Sequence, residues 1–172
     1  MRNHVFWLLL IVIASIFLGC TNSETANQSP SDGTSIKELN ETEHFQDGAL
    51  EHILEGELNQ KGQAVGFHYE GLASSKGKVI DNTATATDEN GVYEGEVVIE
   101  DVEKQSNQGK SSFFPEEWQA QDVVDAINEA YENRKHLTGN TYAGLTEDGI
   151  VVHMYLNENE DIISAFPEYE GD

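Results

Sequence analysis

EHILEGELNQKGQAVGFHYEG, the sequence of residues 51–71, decides the fold because it carries two histidines on two different predicted elements. Around the first, His52, apolar residues recur at helical spacing over residues 49–58. This spacing predicts a helix with the imidazole beside its buried face.

Around the second histidine, His68, the apolar spacing changes to a period of two. Val65, Phe67 and Tyr69 then share one side of a predicted strand, and Gly66 and His68 share the other side. A glycine on an open sheet face lets a ligand approach the backbone closely. The sequence therefore predicts that this histidine lies in a strand that a ligand can reach.

Two imidazoles that titrate near neutrality can share a proton transfer, one as general base and the other as general acid. In RNA, the ribose 2'-hydroxyl attacks the adjacent phosphate and expels the 5'-oxygen, a reaction that needs no metal in principle. A histidine taken alone more often has a surface or structural role. The functional hypothesis therefore depends on the pair.

Residues 1–19 have the pattern of an export signal. Arg2 precedes a long apolar run, and Phe17-Leu18-Gly19-Cys20 is typical of a bacterial lipoprotein signal in which Cys20 is lipidated. The alternative is an uncleaved membrane anchor, for which the run is somewhat short. In both cases we expect the rest of the chain outside the cytoplasm. The lipoprotein interpretation anchors it to the outer face of the cell membrane, with later release as a further option.

Residues 20–44 are predicted to be a lipidated cysteine and a disordered tether, because they are rich in Ser, Thr, Asn, Glu and Gln and lack an apolar period. Residues 45–172 have a normal length for one domain with one core. Cys20 is the only cysteine in the sequence. The domain therefore has neither an internal disulfide nor a thiolate zinc site.

The domain is predicted to be α+β, with helical residues first and mainly antiparallel strands afterwards. One helix is expected to start at Pro115, Glu116 and Glu117 and to end near the cationic residues 134–136. Its apolar stripe consists of Ala120, Val123, Val124, Ile127, Ala130 and Tyr131. Strands are predicted at residues 78–80, 93–102, 141–145, 150–156 and 161–166.

Period-two spacing assigns the faces of the last two strands. The residues predicted to face the core are Ile150, Val152, Met154 and Leu156. His153 points away from that face, where we favour a surface role over an extension of the site. In the final strand, Ile163 and Ala165 are predicted on one side, and Ser164 and Phe166 on the other.

Several segments in this order resemble the bacterial branch of the endoribonuclease U (EndoU) family: HILEGE, GFHYEG, KSSFFPEEW, the amphipathic helix that follows and IISAFP. The resemblance spans about residues 45–167. It implies an EndoU- or barnase-like ribonuclease fold, in which an N-terminal helix or helices and the amphipathic helix pack on an antiparallel sheet. It also implies cleavage of RNA to 2',3'-cyclic phosphate and 5'-hydroxyl ends.

By this resemblance, His52 and His68 match the two catalytic histidines of the family. The implied mechanism makes His68 the general base and His52 the general acid, with the reverse order left open. Lys110 matches a catalytic lysine that neutralises the scissile phosphate, although a solvated loop lysine is the alternative. Glu57 looks like an acidic neighbour of the first histidine and is assigned to the substrate-binding set.

Near the C-terminus, Ser164 and Phe166 match a hydroxyl residue and an aromatic residue of the family. The hydroxyl is expected to contact the phosphate or the base, and the ring to stack on a base. An ordinary strand position is the alternative for Ser164. Many relatives have tyrosine where Phe166 stands, so a phenolic hydrogen bond is missing here and base selectivity is expected to be looser.

Removal of Arg2 with the leader leaves 8 basic and 32 acidic residues, a formal charge of −24. Such a protein repels RNA at long range, whereas RNA binding normally gains from cationic contacts. A nuclease therefore requires a local cationic site, for which the candidates are Lys61, Lys76, Lys78 and Lys110. No cofactor and no metal cage are predicted, and manganese is expected at most to stimulate activity.

Two functions from different classes follow from the sequence. The first is an EndoU-like endoribonuclease that acts as a toxin, with RNA as substrate and an immunity or inhibitor protein as partner. The second is a non-catalytic cell-envelope lipoprotein that uses the same fold as a binding module. The acidity and the membrane tether favour the second function, whereas the two histidines and the candidate lysine favour the first.

Overall fold

The computed structural model describes residues 33–171 and has the predicted α+β class. This part of the chain contains one α-helix of 13 residues and ten strands. The strands are β1 (Glu57–Leu58), β2 (Ala64–Val65), β3 (Gly77–Val79), β4 (Tyr93–Ile99), β5 (Val102–Glu103), β6 (Lys110–Phe113), β7 (Lys135–Thr138), β8 (Thr141–Leu145), β9 (Val151–Leu156) and β10 (Ile162–Pro167). Within residues 33–171, no helix has the length and hydropathy that crossing a bilayer requires.

The α-helix, α1 (Ala120–Glu132), buries the whole predicted apolar stripe. The side chain of Asp122 accepts a hydrogen bond from the Gln119 backbone N–H at 2.8 Å, which caps the first turn. The predicted bounds are wrong at both ends. Residues 115–118 form a separate turn closed by a hydrogen bond from the Trp118 N–H to the Pro115 carbonyl. Residues 135 and 136 belong to β7, so His136 does not end the helix.

Helix α1 packs on an antiparallel sheet with the strand order β10-β9-β8-β7. The predicted core face of β9 is confirmed, because Ile150, Val152, Met154 and Leu156 are all buried. In β10 the register shifts between Ile162 and Ser164. This irregularity places Ile162 in the core with Ala165, whereas strict alternation predicted that Ile163 would share the side of Ala165.

A second sheet is built around β4. Strand β3 pairs with β4, and β5 and β6 pair with its C-terminal and N-terminal halves. This sheet has its own apolar cluster, formed by Ala64, Phe67, Tyr93, Val97, Ile99 and Phe113. The domain was expected to have one core, but the structure divides it into two, with the larger core beneath α1.

The last part of the predicted tether packs against the domain. The segment of residues 35–46, called the upstream strap below, buries Leu39 and stacks the His44 ring on Tyr131 at 4.4 Å. Phe45 forms a parallel bridge with Ile162 of β10, flanked by backbone hydrogen bonds on both sides. The packed region therefore starts upstream of residue 45, because these residues carry apolar and aromatic side chains that reach the core.

The two histidines lie on different local structures from those predicted. His52 is helical as predicted, but in a π-helical turn that covers only Glu51–Glu55. His68 lies outside any strand, because β2 ends at residue 65 and Phe67 has a positive φ of 68°. That turn of the backbone sends Phe67 and Tyr69 into the two different cores, where strict alternation would have put them on one face.

Candidate active site

A cleft of about 550 Å³ lies where β6 of the second sheet meets β10 of the first. From the second sheet and the neighbouring loops, the cleft receives His68, Glu94, Lys104, Lys110, Ser111 and Ser112. From β9, β10 and the residues after β10, it receives His153, Tyr155, Ser164, Phe166, Glu168 and Tyr169. The first group is cationic and hydroxylic, and the second is mainly aromatic.

His68 is held in the cleft by backbone on both sides. Its Nδ1 lies 2.8 Å from the Ser112 carbonyl oxygen, and its own carbonyl accepts a hydrogen bond from the Phe114 N–H at 3.0 Å. Because a carbonyl oxygen only accepts, Nδ1 carries the proton and Nε2 is the basic atom. Burial, with a smaller contribution from the Lys104 charge, lowers the pKa of His68 to about 3. The ring is therefore neutral at physiological pH.

His52 is fixed beside this segment by the backbone and by one carboxylate. Its carbonyl accepts a hydrogen bond from the Phe67 N–H at 3.0 Å, one residue from His68. Its Nδ1 lies 3.0 Å from Oε1 of Glu57. Glu57 thus binds the histidine and does not line the cleft, so its geometry favours a positioning role over direct substrate binding.

Both rings have an Nε2 atom that the described part of the chain does not pair. Neither Nε2 atom has a hydrogen-bond partner in residues 33–171. Neither atom is completely buried, because Asn128 Oδ1 is the one fully buried side-chain polar atom without a partner in that part of the chain. His68 lines the cleft, whereas His52 is not one of the residues that line it and lies against the backbone of Gly66. The arrangement offers two imidazole nitrogens, each fixed through its other nitrogen.

Lys104 is a functional candidate that the sequence did not reveal. It follows β5 in a polar loop, but it is only 8% exposed. Its ammonium donates to Ser111 Oγ at 2.6 Å and to the Gly66 carbonyl oxygen at 3.2 Å, and no carboxylate of residues 33–171 pairs with it. Burial lowers the pKa of Lys104 to about 8. No pattern marks this lysine, because lysines in polar loops are ordinarily solvated.

Lys110 also lines the cleft, but its charge is paired. Its Nζ lies 3.3 Å from Oε2 of Glu94, and both side chains are partly exposed. Among the other predicted cationic candidates, Lys76 pairs with Glu55 at 4.0 Å, and neither Lys61 nor Lys78 lines the cleft. The cleft therefore contains one paired and one unpaired ammonium.

Ser164 and Phe166 both face the cleft, as their predicted side of β10 requires. The Phe166 ring stacks on His68 with centroids 5.5 Å apart. His153 stacks on the same ring and lines the cleft, which is the position required by the alternative that it extends the site. Its position opposite Phe166 in the strand register explains the contact.

No group of three or more His, Cys, Asp or Glu side chains in residues 33–171 converges as the ligands of a metal ion would. The lipidation site predicted at Cys20 and the export signal lie outside the described residues. The first twelve residues of the predicted tether, 21–32, lie outside them as well.

No solved structure matches the chain. A protein named "Toxin" from Bacillus cereus is 43% identical over 145 residues, which are 84% of this chain and 27% of that protein. The chain thus spans about a quarter of that relative, and the alignment is long enough to include the upstream strap. The sequence profile of the bacterial EndoU nuclease family matches residues 46–169. The chain therefore belongs to the bacterial EndoU nuclease family.

Proposed function

We propose that this domain is an endoribonuclease that cleaves RNA by attack of the ribose 2'-hydroxyl on the adjacent phosphate. The products are a 2',3'-cyclic phosphate and a 5'-hydroxyl. The observation that carries the proposal is that His68 interacts electrostatically with both His52 and the buried ammonium of Lys104, while each histidine is held through Nδ1 and leaves Nε2 without a partner in residues 33–171. General acid, general base and an anion-binding cation are the three groups that this reaction needs.

His68 is the proposed general base. Its Nε2 takes the proton from the 2'-hydroxyl as the oxygen attacks phosphorus. The lowered pKa supports this role because it keeps the ring unprotonated before the reaction. A bound phosphate adds negative charge beside the ring and stabilises the imidazolium that forms, so the histidine becomes a stronger base in the complex.

His52 is the proposed general acid. It enters the reaction protonated and gives the Nε2 proton to the departing 5'-oxygen. The carboxylate of Glu57 holds Nδ1 and interacts favourably with the cationic form, so it orients the ring and stabilises its charge. After one turnover His68 is protonated and His52 is neutral, and proton exchange with water restores the starting state.

Lys104 is the proposed electrostatic stabiliser of the phosphate. Its ammonium lies in a site where burial removes water, and charge interactions in such a site are stronger than in bulk water. Within residues 33–171 the protein gives this ammonium no carboxylate partner. The doubly charged phosphate of the transition state would take that place. Lys110 is the second cation of the cleft, and its contribution to phosphate binding requires separation from Glu94.

Ser164 and Phe166 are proposed to contact the substrate on the aromatic side of the cleft. The Ser164 hydroxyl can donate to or accept from the ribose, phosphate or base. The Phe166 ring already stacks on His68, so part of its role is to hold the general base in place. Any face left open can stack on a nucleobase, a contact worth about 1–3 kcal/mol.

No resident metal is proposed, because the donor groups near the cleft do not converge on a common point. The large negative charge of the chain nevertheless opposes the approach of RNA. Manganese would then act by screening the repulsion between the acidic protein and RNA. Added salt would help the two associate at low concentration, and at higher concentration it would weaken the contacts between the lysines and the phosphates.

We also propose that the protein is exported, lipid-anchored through Cys20 and used as a toxin. The sequence pattern of residues 1–20 supports export, and the name of the Bacillus cereus relative supports a toxin. A toxin nuclease requires a neutralising partner in the producing cell, so an immunity protein is part of the proposal. Labelling with a radioactive fatty acid, lost in Cys20→Ser, tests the anchor directly.

The experiment that tests the nuclease is incubation of the mature chain with a mixed-base RNA, followed by analysis of the product ends. Cyclic phosphate ends are expected, and His52→Ala and His68→Ala should each lower the rate by about 10²–10⁴-fold. His136→Ala is the matched control, because that histidine lies on the exposed strand β7 away from the cleft. Cleavage that persists in both active-site variants would mean a contaminating nuclease.

The alternative function, a non-catalytic binding module of the cell envelope, is supported by the formal charge of −23 for the full sequence. Intact RNA across a range of salt and manganese concentrations would favour it over the nuclease. In that case wild type and the two histidine variants should all be folded, and the same amount of intact RNA should remain after incubation with each of them.

A further inference from the structure

Glu94 is a carboxylate inside the cleft, and the proposed mechanism gives it no role. It lies on β4, opposite Ser112 of β6 in the strand register. Its Oε2 is 3.3 Å from Nζ of Lys110, and both residues line the cleft. The residue directly opposite Lys110 is Glu96, which is exposed and does not line the cleft. The ammonium is therefore directed diagonally, to the carboxylate that faces the cleft.

The backbone of Glu94 keeps this carboxylate in the cleft. Its N–H donates to Thr85 Oγ1 at 3.0 Å, and its carbonyl oxygen accepts a hydrogen bond from the Thr85 N–H at 2.8 Å. A phosphate that binds Lys110 takes the ammonium from Glu94, but the strand that carries Glu94 stays in place. The other ammonium of the cleft, on Lys104, is held by neutral oxygen atoms of other elements. The bound phosphate would therefore lie beside an uncompensated carboxylate.

The repulsion from this carboxylate depends on the charge of the ligand. A phosphodiester inside a polynucleotide carries one negative charge, whereas a phosphate monoester carries about two at pH 7.5. Coulomb repulsion by Glu94 is therefore about twice as large for the monoester. A polynucleotide also contacts other parts of the cleft, and these contacts offset the repulsion. A small monoester has no such contacts.

The Glu94–Lys110 ion pair itself is expected to hold the lysine only weakly. The two side chains are 26% and 37% exposed, and ion pairs of this kind add little stability. Loss of the carboxylate should therefore cost little in the orientation of Lys110. The gain from removing a negative charge beside the phosphate should be larger, so neutralisation of Glu94 should strengthen phosphate binding.

We infer that Glu94 is a specificity-determining residue of this site. It opposes the binding of small phosphate monoesters at Lys110, and it tolerates the singly charged phosphate of a polynucleotide that is held elsewhere in the cleft. This inference rests on the proposed nuclease function, which supplies the polynucleotide ligand. It concerns the choice between kinds of phosphate, and neither the choice of base nor the chemical step.

The test is binding of a fluorescent 2'-deoxy octanucleotide of mixed sequence to the mature chain, measured by anisotropy at pH 7.5. This probe has the phosphates of RNA but no 2'-hydroxyl, so it is not cut. Glycerol 2-phosphate, a monoester without a base, is the competitor. Glu94→Gln should bind the octanucleotide about threefold more tightly than wild type and glycerol 2-phosphate about tenfold more tightly.

Glu160→Gln is the matched control, because it removes the same charge from an exposed ion pair, with Arg134, outside the cleft. It should change either affinity by less than about twofold. In a Lys110→Gln background, Glu94→Gln should have a smaller effect on glycerol 2-phosphate, because the cation for which the two anions compete is gone. Glu94→Ala is the second variant if the glutamine variant does not fold, as judged by circular dichroism.

An equal gain for both ligands, weaker binding by Glu94→Gln, or no binding of the octanucleotide to either protein would each overturn the inference. A gain that is undiminished in the Lys110→Gln background would also overturn it. RNA cleavage is measured separately on the same proteins. A selective gain in a protein that cuts no RNA would support phosphate selection and overturn the proposed nuclease, whereas cleavage with equal gains would overturn phosphate selection alone.

Discussion

His68 donates its Nδ1 proton to the carbonyl oxygen of Ser112, 2.8 Å away on β6. This single hydrogen bond determines which nitrogen of the ring is basic and links the segment after β2 to the strand that forms one side of the cleft. It also belongs to the neutral ring, whose pKa is lowered to about 3 by burial. Several measurable consequences follow from this and from the neighbouring contacts.

Acid should destabilise the protein partly through His68. Its pKa is about 3 when folded and about 6.5 when unfolded, so the unfolded chain binds more protons between these values. Stability from this residue is therefore complete above pH 6.5 and is lost as the pH falls toward 3. The loss between pH 6.5 and 4 should be about 3 kcal/mol. Urea unfolding of wild type and His68→Asn, which keeps a donor for Ser112, measures it, and parallel pH profiles would contradict this assignment.

Alkali should reduce activity through Lys104. In the free enzyme its pKa is lowered to about 8, so the ammonium is lost as the pH rises above that value. We expect kcat/KM to fall about tenfold per pH unit there, because the neutral amine no longer stabilises the phosphate. Lys104→Gln should lose most activity at pH 7. Lys110→Gln is the matched control, and its kcat/KM should still fall at alkaline pH. If Lys110 were the critical cation, the Lys110→Gln variant would no longer show this fall.

Gly66→Ala should separate the two histidines that are proposed to be catalytic. Gly66 has a φ of +75°, and a Cβ there would overlap the His52 carbonyl oxygen and come within 3.1 Å of its Cδ2. Gly62→Ala is the control, because Gly62 has a φ of +71° but no atom within 4 Å of the added Cβ. Both variants pay about 1–2 kcal/mol of backbone strain, measured by urea unfolding. Gly66→Ala alone should lose further stability and its RNA cleavage, and equal behaviour of the two would refute the steric argument.

Removal of the upstream strap should destabilise the whole domain. A chain that starts at residue 47 loses the burial of Leu39, the His44–Tyr131 stack and the Phe45–Ile162 bridge. We expect a loss of about 2–5 kcal/mol, comparable to the loss of one or two large buried side chains. Thermal unfolding against a chain that starts at Gly33 measures it. Identical melting temperatures would mean that the strap is only loosely attached.

Long periodic segments were predictable from the sequence. The stripe of α1 and the strand β9 follow from regular spacing, because each presents one continuous face to one core. The position of β10 was also predicted, but its register shift breaks the alternation and could not be read from the spacing. The bounds of α1 failed because Pro115 and two glutamates resemble a helix start, whereas the chain there makes one isolated turn. The strand character of β6 was hidden because Ser111, Ser112 and Phe113 are buried on both faces, which removes the alternation.

The site was predictable only in part. His68 was identified, but on the wrong scaffold, because the positive φ of Phe67 cannot be read from spacing. Lys104 was missed because its ammonium is held by Gly66 and Ser111, which lie on other elements, and no local pattern encodes such contacts. His153 reaches the cleft through cross-strand pairing with Phe166, a relation between residues that are distant in sequence.

The bridge between Phe45 and Ile162 would have a mechanical consequence under the proposed anchoring of the amino terminus. A pulling force on that end first meets the contacts of residues 40–44 with α1 and then reaches β10, because the backbone on both sides of Phe45 is hydrogen-bonded to Ile162. Two residues further along, the same strand supplies Ser164 to the cleft. Tension on the amino-terminal segment would therefore act on a strand that lines the candidate cleft.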